Sequence, residues 1–210
     1  MPSTLVHVAI GGVVAAALLR EEFGWWSLGI VLVFAALPDL DSFIGLVLPG
    51  AHRSLLHTLL FPLILGVLLL LDGYRSRSVL RERFGPDARR VAGIGIVALL
   101  FGGIAPDLVT NGVNVLYPLQ DAFVRINGEL LFSNQRGVVQ TVVSLGEAEA
   151  GGTAVGSTET LHYSTGVDPT AGKEPAAVER VFPVLGSGME LLLVGLSGTL
   201  LGARFLEAEW

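Results

Sequence analysis

Eight ionisable residues lie in or beside apolar stretches of this chain: His7, Asp39, Asp41, His52, Arg53, His57, Asp107 and Glu190. Neutral imidazole and carboxylate together form a ligand set suited to zinc, manganese or iron. A charged side chain at the bilayer centre costs roughly 2.5–3.5 kcal/mol on insertion scales. Carboxylates gathered in a partly dry site also repel one another, and a divalent cation offsets both effects. The chemistry that such a set supports is hydrolysis, because a bound metal lowers the pKa of water from 15.7 toward about 7. His7, Asp39, Asp41, His52, His57 and Asp107 are the expected ligands. Asp41 is also the candidate general base. Arg53 is the group to neutralise a phosphate or a developing oxyanion. Glu190 is expected as a hydrogen-bonding partner behind the ligands.

Each of these residues has an ordinary reading when taken alone. His7 in an apolar run is more often a packing histidine. Asp39 and Asp41 make polar caps on a loop, His52-Arg53 an interfacial pair, and Asp107 a cap after Pro106. His57 is harder to dismiss, because it stands where an apolar run begins. The set carries more than its members.

Five apolar segments must position them: Leu5–Leu19, Trp25–Leu37, Leu55–Leu71, Val91–Ala105 and Val184–Leu206. The composition is 51% hydrophobic and 15% charged, with mean hydropathy +0.66. Soluble domains carry about 25% charged residues, so the chain reads as an integral membrane protein. An upright span needs about 20 residues. The last segment meets that comfortably; the third nearly does, with Pro62 as a kink. The other three are short, and extend into flanking residues or enter only part-way. Pro38 disfavours helix at Leu37. Asp39 and Asp41 in an extended turn would then point the same way. Arg53 and His57, four apart, would share a helix face with His52 at its mouth.

Twelve of the thirteen basic residues are arginine, and six of them fall in Gly73–Arg90. By the positive-inside rule that loop is cytoplasmic. Counting through the segments puts all eight residues of the set on the outer face, with Arg20 and Arg204 on the inner one. Trp25 and Trp26 are interfacial anchors. The N-terminus lacks the basic region of a cleavable signal peptide. Net charge is −6, which argues against nucleic acid as a partner, and the absence of cysteine excludes thiolate ligands and disulfides. Residues 119–182 read as a β-rich outward insertion. Strands are expected over Phe123–Phe132 and Val138–Leu145, turns at Asn127-Gly128 and Asn134–Gly137, and a loose loop over Glu147–Pro175 in which His162 is solvated.

His7 with Gly11-Gly12, then Leu37-Pro38-Asp39-Leu40-Asp41, then His52-Arg53-Ser54-Leu55-Leu56-His57-Thr58-Leu59 resembles the YdjM-like family of membrane-bound predicted metal-dependent hydrolases. The stretch from Asp107 through Thr110 and Gly112 to Tyr117-Pro118 is similar to a later motif of that family. The resemblance covers residues 1–120 and implies a metal-dependent hydrolase. The family is distantly similar to zinc-dependent phospholipases C and to a class of zinc nucleases, which suggests phosphoester hydrolysis by analogy. One position departs: the family commonly has a histidine four residues before the later aspartate, where this chain has Gly103. Glu190 and His162 are the candidates to replace it.

The resulting expectation is an all-α membrane protein of about five spanning or partly inserted helices, with a small β-rich insertion. Residues 1–118 form the metal-site domain, 119–182 the insertion, and 183–210 a C-terminal helix packed on the first part. The cofactor is a divalent metal, zinc first and manganese second. The partners are the bilayer and an amphiphilic or phosphoester substrate. A structural metal site, or a degenerate one, is the rival reading. Gly198 and Gly202 form a small-xxx-small pattern, read either as dimerisation or as packing within the chain.

Overall fold

In the computed structural model, which describes residues 2–126, 128, 130–140 and 154–208, long apolar runs fold as helices wherever no proline or charge interrupts them. Helix α1 is Thr4–Leu18 and α2 is Trp25–Ala36. A tight 3-10 turn, Leu37–Leu40, carries α2 directly into α3, Asp41–Gly45. After turns over 46–59 comes α4, Leu60–Tyr74, then the short α5, Val79–Phe84. Helix α6, Ala88–Ala98, passes through a π segment, Leu99–Ile104, into α7, Ala105–Thr110. Helix α8 is Gly188–Ala208.

Among the described residues, three continuous stretches are long and apolar enough to cross a membrane: Trp25–Gly45, Ala88–Thr110 and Gly188–Ala208. Thr4–Leu18 and Leu60–Tyr74 are shorter apolar helices. Trp25 and Trp26 are both strongly exposed, as residues anchored at an interface would be. Two of the short segments thus gain length at their C-terminal ends. The polar residues beyond Leu37 and Ala105 stay helical because their side chains find partners inside the protein.

That outcome corrects two expectations. Pro38 does not end the helix; it sits in the first half of the 3-10 turn, where its missing N–H is tolerated. Asp39 and Asp41 are therefore separated by about 200–240° around a helical axis rather than aligned as in an extended turn. Residues 52–59 are turns, so Arg53 and His57 share no helix face. Pro62 explains this, because it occupies the first turn of α4, where proline fits, and is not a kink.

The membrane part packs through small residues. Gly11 lies against Ala35, and Gly12 against Ser197 of α8. Ala15, Leu19, Leu28, Val31, Val91, Ile94 and Ala98 fill the interior away from the site. At that end Arg90 pairs with Glu22 at 2.8 Å, and Arg204 donates to the carbonyls of Leu19 and Arg20.

Two small sheets lie in the insertion and the residues just before it. Strands β1 (Val113–Asn114), β2 (Phe123–Val124) and β5 (Ala154–Gly156) form one in the order β1-β2-β5; β3 (Leu130–Ser133) and β4 (Gly137–Gln140) form a hairpin. The stretch Phe123–Phe132, with its turn signal at Asn127-Gly128, holds β2 and the start of β3, which lie in different sheets. The turn at Asn134–Gly137 is observed, with the Ser133 hydroxyl accepting from the N–H groups of Gln135 and Arg136. Asn127 and the expected strand residues 141–145 lie outside the described residues.

Gly103 packs where no side chain fits. A Cβ there would lie 2.7 Å from Pro38 Cγ and 2.8 Å from the Ala35 carbonyl oxygen. The family's histidine at this position would collide with backbone. Gly198 and Gly202 have nothing within 4 Å of an added Cβ. Gly103→Ala is therefore expected to lower stability by about 1–3 kcal/mol through overpacking. Gly198→Ala is expected to leave the thermal midpoint in detergent unchanged; equal midpoints for the two variants would refute the packing argument.

Candidate metal centre

The cluster is assembled by five chain segments. Helix α1 brings His7, the 3-10 turn brings Asp39, α3 opens with Asp41, the turns before α4 bring His52, Arg53 and His57, and α7 brings Asp107. His7, Asp41, Arg53, His57 and Asp107 are buried to 0–1% exposure and His52 to 7%. Asp39 is the member with access to solvent, its side chain 22% exposed.

Each imidazole is fixed through Nδ1. His7 Nδ1 lies 2.6 Å from the carbonyl oxygen of Gly102. A carbonyl only accepts, so this nitrogen carries the proton and Nε2 keeps a lone pair. The carbonyl is free because Pro106, four residues on, has no N–H to offer it. Asp41 fixes the other two: its Oδ1 meets His52 Nδ1 at 2.8 Å and its Oδ2 meets His57 Nδ1 at 2.9 Å. The N–H groups of Arg53 and Leu56 also donate to Asp41 Oδ2, at 3.0 and 3.4 Å. Oδ2 thus accepts three of these four bonds and Oδ1 one.

The Nε2 atoms of His7, His52 and His57 are all buried without a hydrogen-bond partner. His7 Nε2 stands 3.6 Å from Asp39 Oδ1 and 3.8 Å from Asp107 Oδ2. His57 Nε2 stands 2.9 Å from Asp107 Oδ2 and 3.9 Å from Asp39 Oδ1. Zinc–ligand bonds of about 2.0–2.1 Å in a tetrahedron separate ligand atoms by about 3.3 Å. His7, Asp39 and Asp107 offer ligand atoms all within 4.8 Å of one another. The residues present therefore fit a metal ion. Among the described residues this is the group that meets that criterion, and His52, His57 and Asp41 are not in it.

Arg53 lies at the back of the site. Its guanidinium donates to Asp107 Oδ1 at 2.6 Å, approaches the Gly112 carbonyl at 3.5 Å, and stacks over the Tyr163 ring at 4.8 Å. Its backbone is left-handed, with φ 64°. Such a conformation costs of order 1–3 kcal/mol and persists where surroundings over-determine it. Here the N–H is held by Asp41 and the carbonyl accepts from Asn114 N–H at 2.9 Å. This tight turn lets His52 and His57 both face Asp41.

Glu190 is elsewhere. Its carboxylate accepts from the N–H of Gly186 at 2.5 Å, before the start of its own helix. His162, expected to be solvated, is only 19% exposed in its side chain and lies 3.9 Å from Asp168. Neither takes the place of the histidine that Gly103 excludes. Sequence reasoning missed Thr4, whose hydroxyl donates to Asp39 Oδ2. The signal was its position three residues before His7 on one helix face. It missed Tyr163 as well, for which no local signal exists.

A profile of the family described as YdjM inner membrane protein matches residues 1–167. The chain belongs to the YdjM family. The match runs past residue 120, where the resemblance read from the motifs ends. Searches of the curated proteins and of the solved structures returned no match.

The insertion is tied to the site through Asp121. Its carboxylate accepts from the Asn114 amide at 2.7 Å and from the hydroxyl of Thr158 at 2.6 Å. Desolvation raises its pKa, but the Thr158 hydroxyl, the Thr158 N–H and Asn114 outweigh it and hold the carboxyl below its ordinary value of 3.8. A depressed pKa means the stabilisation is present above that ordinary value and is lost as pH falls through the lowered one. Asp121→Asn is expected to loosen the insertion at neutral pH and to remove this part of the acid response. Limited proteolysis between residues 119 and 182 across a pH series would check it; an identical pH response in wild type and variant would refute it.

Proposed function

We propose that this protein is a membrane-embedded metal-dependent hydrolase of a phosphoester. The observation that carries the reading is a charge imbalance. Asp107 pairs with the guanidinium of Arg53, while Asp39 and Asp41 have only histidines as potentially cationic side-chain partners, so with neutral imidazoles two negative charges are left uncompensated in a largely buried site. His57 Nε2 and Asp107 Oδ2 stand 2.9 Å apart, a separation that two bare lone pairs do not hold without a cation or proton between them. A divalent cation satisfies both conditions.

In this reading His7 Nε2, His57 Nε2, Asp39 Oδ1 and Asp107 Oδ2 hold the ion, with zinc first and manganese second on the mixed nitrogen and oxygen donors. The bound metal would supply an activated water at neutral pH. Asp41, fully buried and bonded to both imidazoles, orients His52 and His57 from behind, and the base role passes to Asp39, the acid that reaches solvent. Arg53 aligns Asp107 rather than contacting substrate. The site lies at the membrane end opposite the arginine cluster; by the positive-inside rule that end is non-cytoplasmic.

The depth of the cluster favours a second reading, a structural metal that braces the helices. Purified protein is expected to carry zinc at about one ion per chain, read by elemental analysis, and His7→Ala and His57→Ala to lose it. Asp41→Asn, which removes no ligand, is expected to weaken zinc binding about 10–100-fold. Hydrolysis of bis(p-nitrophenyl) phosphate that disappears with chelator and with His57→Ala supports the enzyme. A chelator that lowers the thermal midpoint of a protein with no turnover supports the structural metal. Metal-free wild type of full stability would sink both.

A further inference from the structure

A cavity of about 370 Å³ opens beside the cluster. Its walls are unequal in chemistry. One end holds the Asp39 carboxylate and His52, whose Nε2 is buried without a partner. The remainder is largely apolar: Ala36, Leu40 and Phe43 on one side, and Val167, Phe182 and Pro183 on the other. The first three belong to the candidate membrane span Trp25–Gly45. Leu40, Phe43 and Ile44 are partly exposed, so the apolar wall continues onto the outer surface of that span. The second three come from the segment after the β-rich sheets and form a roof. Gly166 is buried beside Val167, and a Cβ there would lie 2.5 Å from the Phe182 ring, so the two parts of the roof are closely packed.

Resting on the hydrolase reading, we propose that this cavity binds one hydrocarbon tail of a membrane lipid ester, with the ester phosphate at the Asp39–His52 end. The occupant follows from the lining. A polar, metal-competent end joined to an apolar trough matches an amphiphile and leaves a soluble phosphoester nothing to fill the trough. Ligand sites run about 300–1,000 Å³, so this volume suits part of one chain rather than a whole two-tailed lipid. Continuity with the exposed face of the span lets a tail enter sideways from the bilayer. Because His52 Nδ1 donates to Asp41, its Nε2 keeps a lone pair at the polar end that a headgroup hydroxyl can donate to.

The test is photolabelling in lipid–detergent micelles with a phosphatidylglycerol that carries a diazirine in its acyl chain, followed by peptide mapping. Wild type is expected to be labelled within residues 36–43 and 165–183. Ala36→Phe and Val167→Trp, which fill the cavity from opposite walls, are expected to cut that labelling about tenfold while bound zinc stays at the wild-type level. Wild-type label confined to the outer faces of α4 and α8 overturns the proposal. So does label at the cavity peptides that neither filling variant reduces. Protein that takes up the tail in the cavity but never binds zinc retains the pocket and removes the hydrolase reading. Zinc-loaded protein with no cavity label does the reverse.

Discussion

Three carboxylates brought together in a buried place, with one guanidinium among them, set the terms for the rest of this structure. Isolated buried charge is among the most expensive things a fold can contain. Every oxygen of Asp41 and one of Asp107 is therefore answered by a specific donor, and Thr4 answers one of Asp39. What remains is a set of lone pairs from His7, His57, Asp39 and Asp107 that face one another. A positive species between them satisfies that arrangement, and a divalent metal is one that these ligand types suit.

The helices meet this demand by departing from regularity where the site needs it. Pro106 frees the Gly102 carbonyl for His7, and the π segment around Gly102 and Gly103 lets α6 approach α1 and α2 at backbone distance. The tight turn after Ala36 puts Asp39 and Asp41 on opposite sides of the His57 ring, so that one acid faces Nε2 and the other Nδ1. The left-handed Arg53 reverses the chain between the two histidines. Each is a local strain or a missing hydrogen bond, and each is stabilised by a contact to the cluster itself. The site and the fold around it are mutually dependent.

The insertion takes part in this scheme. Strand β1 follows directly from α7, and β2 pairs with it, so the sheet is an extension of the helix that carries Asp107. Asp121 clamps Thr158 to Asn114, and Asn114 in turn holds the Arg53 carbonyl. Tyr163 lies over the Arg53 guanidinium, and the segment beyond it roofs the cavity beside Asp39. A surface loop without function would not need to supply these contacts.

The sequence by itself determined the apolar helices, the ligand-type residues and their gathering at one end, because hydropathy and residue chemistry are local properties. It also marked the family through His7, the Leu37–Asp41 turn and the His52–His57 motif. It did not determine which way those residues turn. Periodicity predicted a helix through Arg53 and His57 and an extended turn through Asp39 and Asp41, and both were reversed by contacts from distant segments. Nor did it distinguish Asp41, buried behind two imidazoles, from Asp39, which faces the open side. Glu190 and Asp107 looked alike in sequence, as carboxylates at helix ends, yet one caps its own helix and the other completes the centre. Those distinctions depend on partners as far away as Gly102, Asn114 and Tyr163, and only the packed chain brings them within bonding distance.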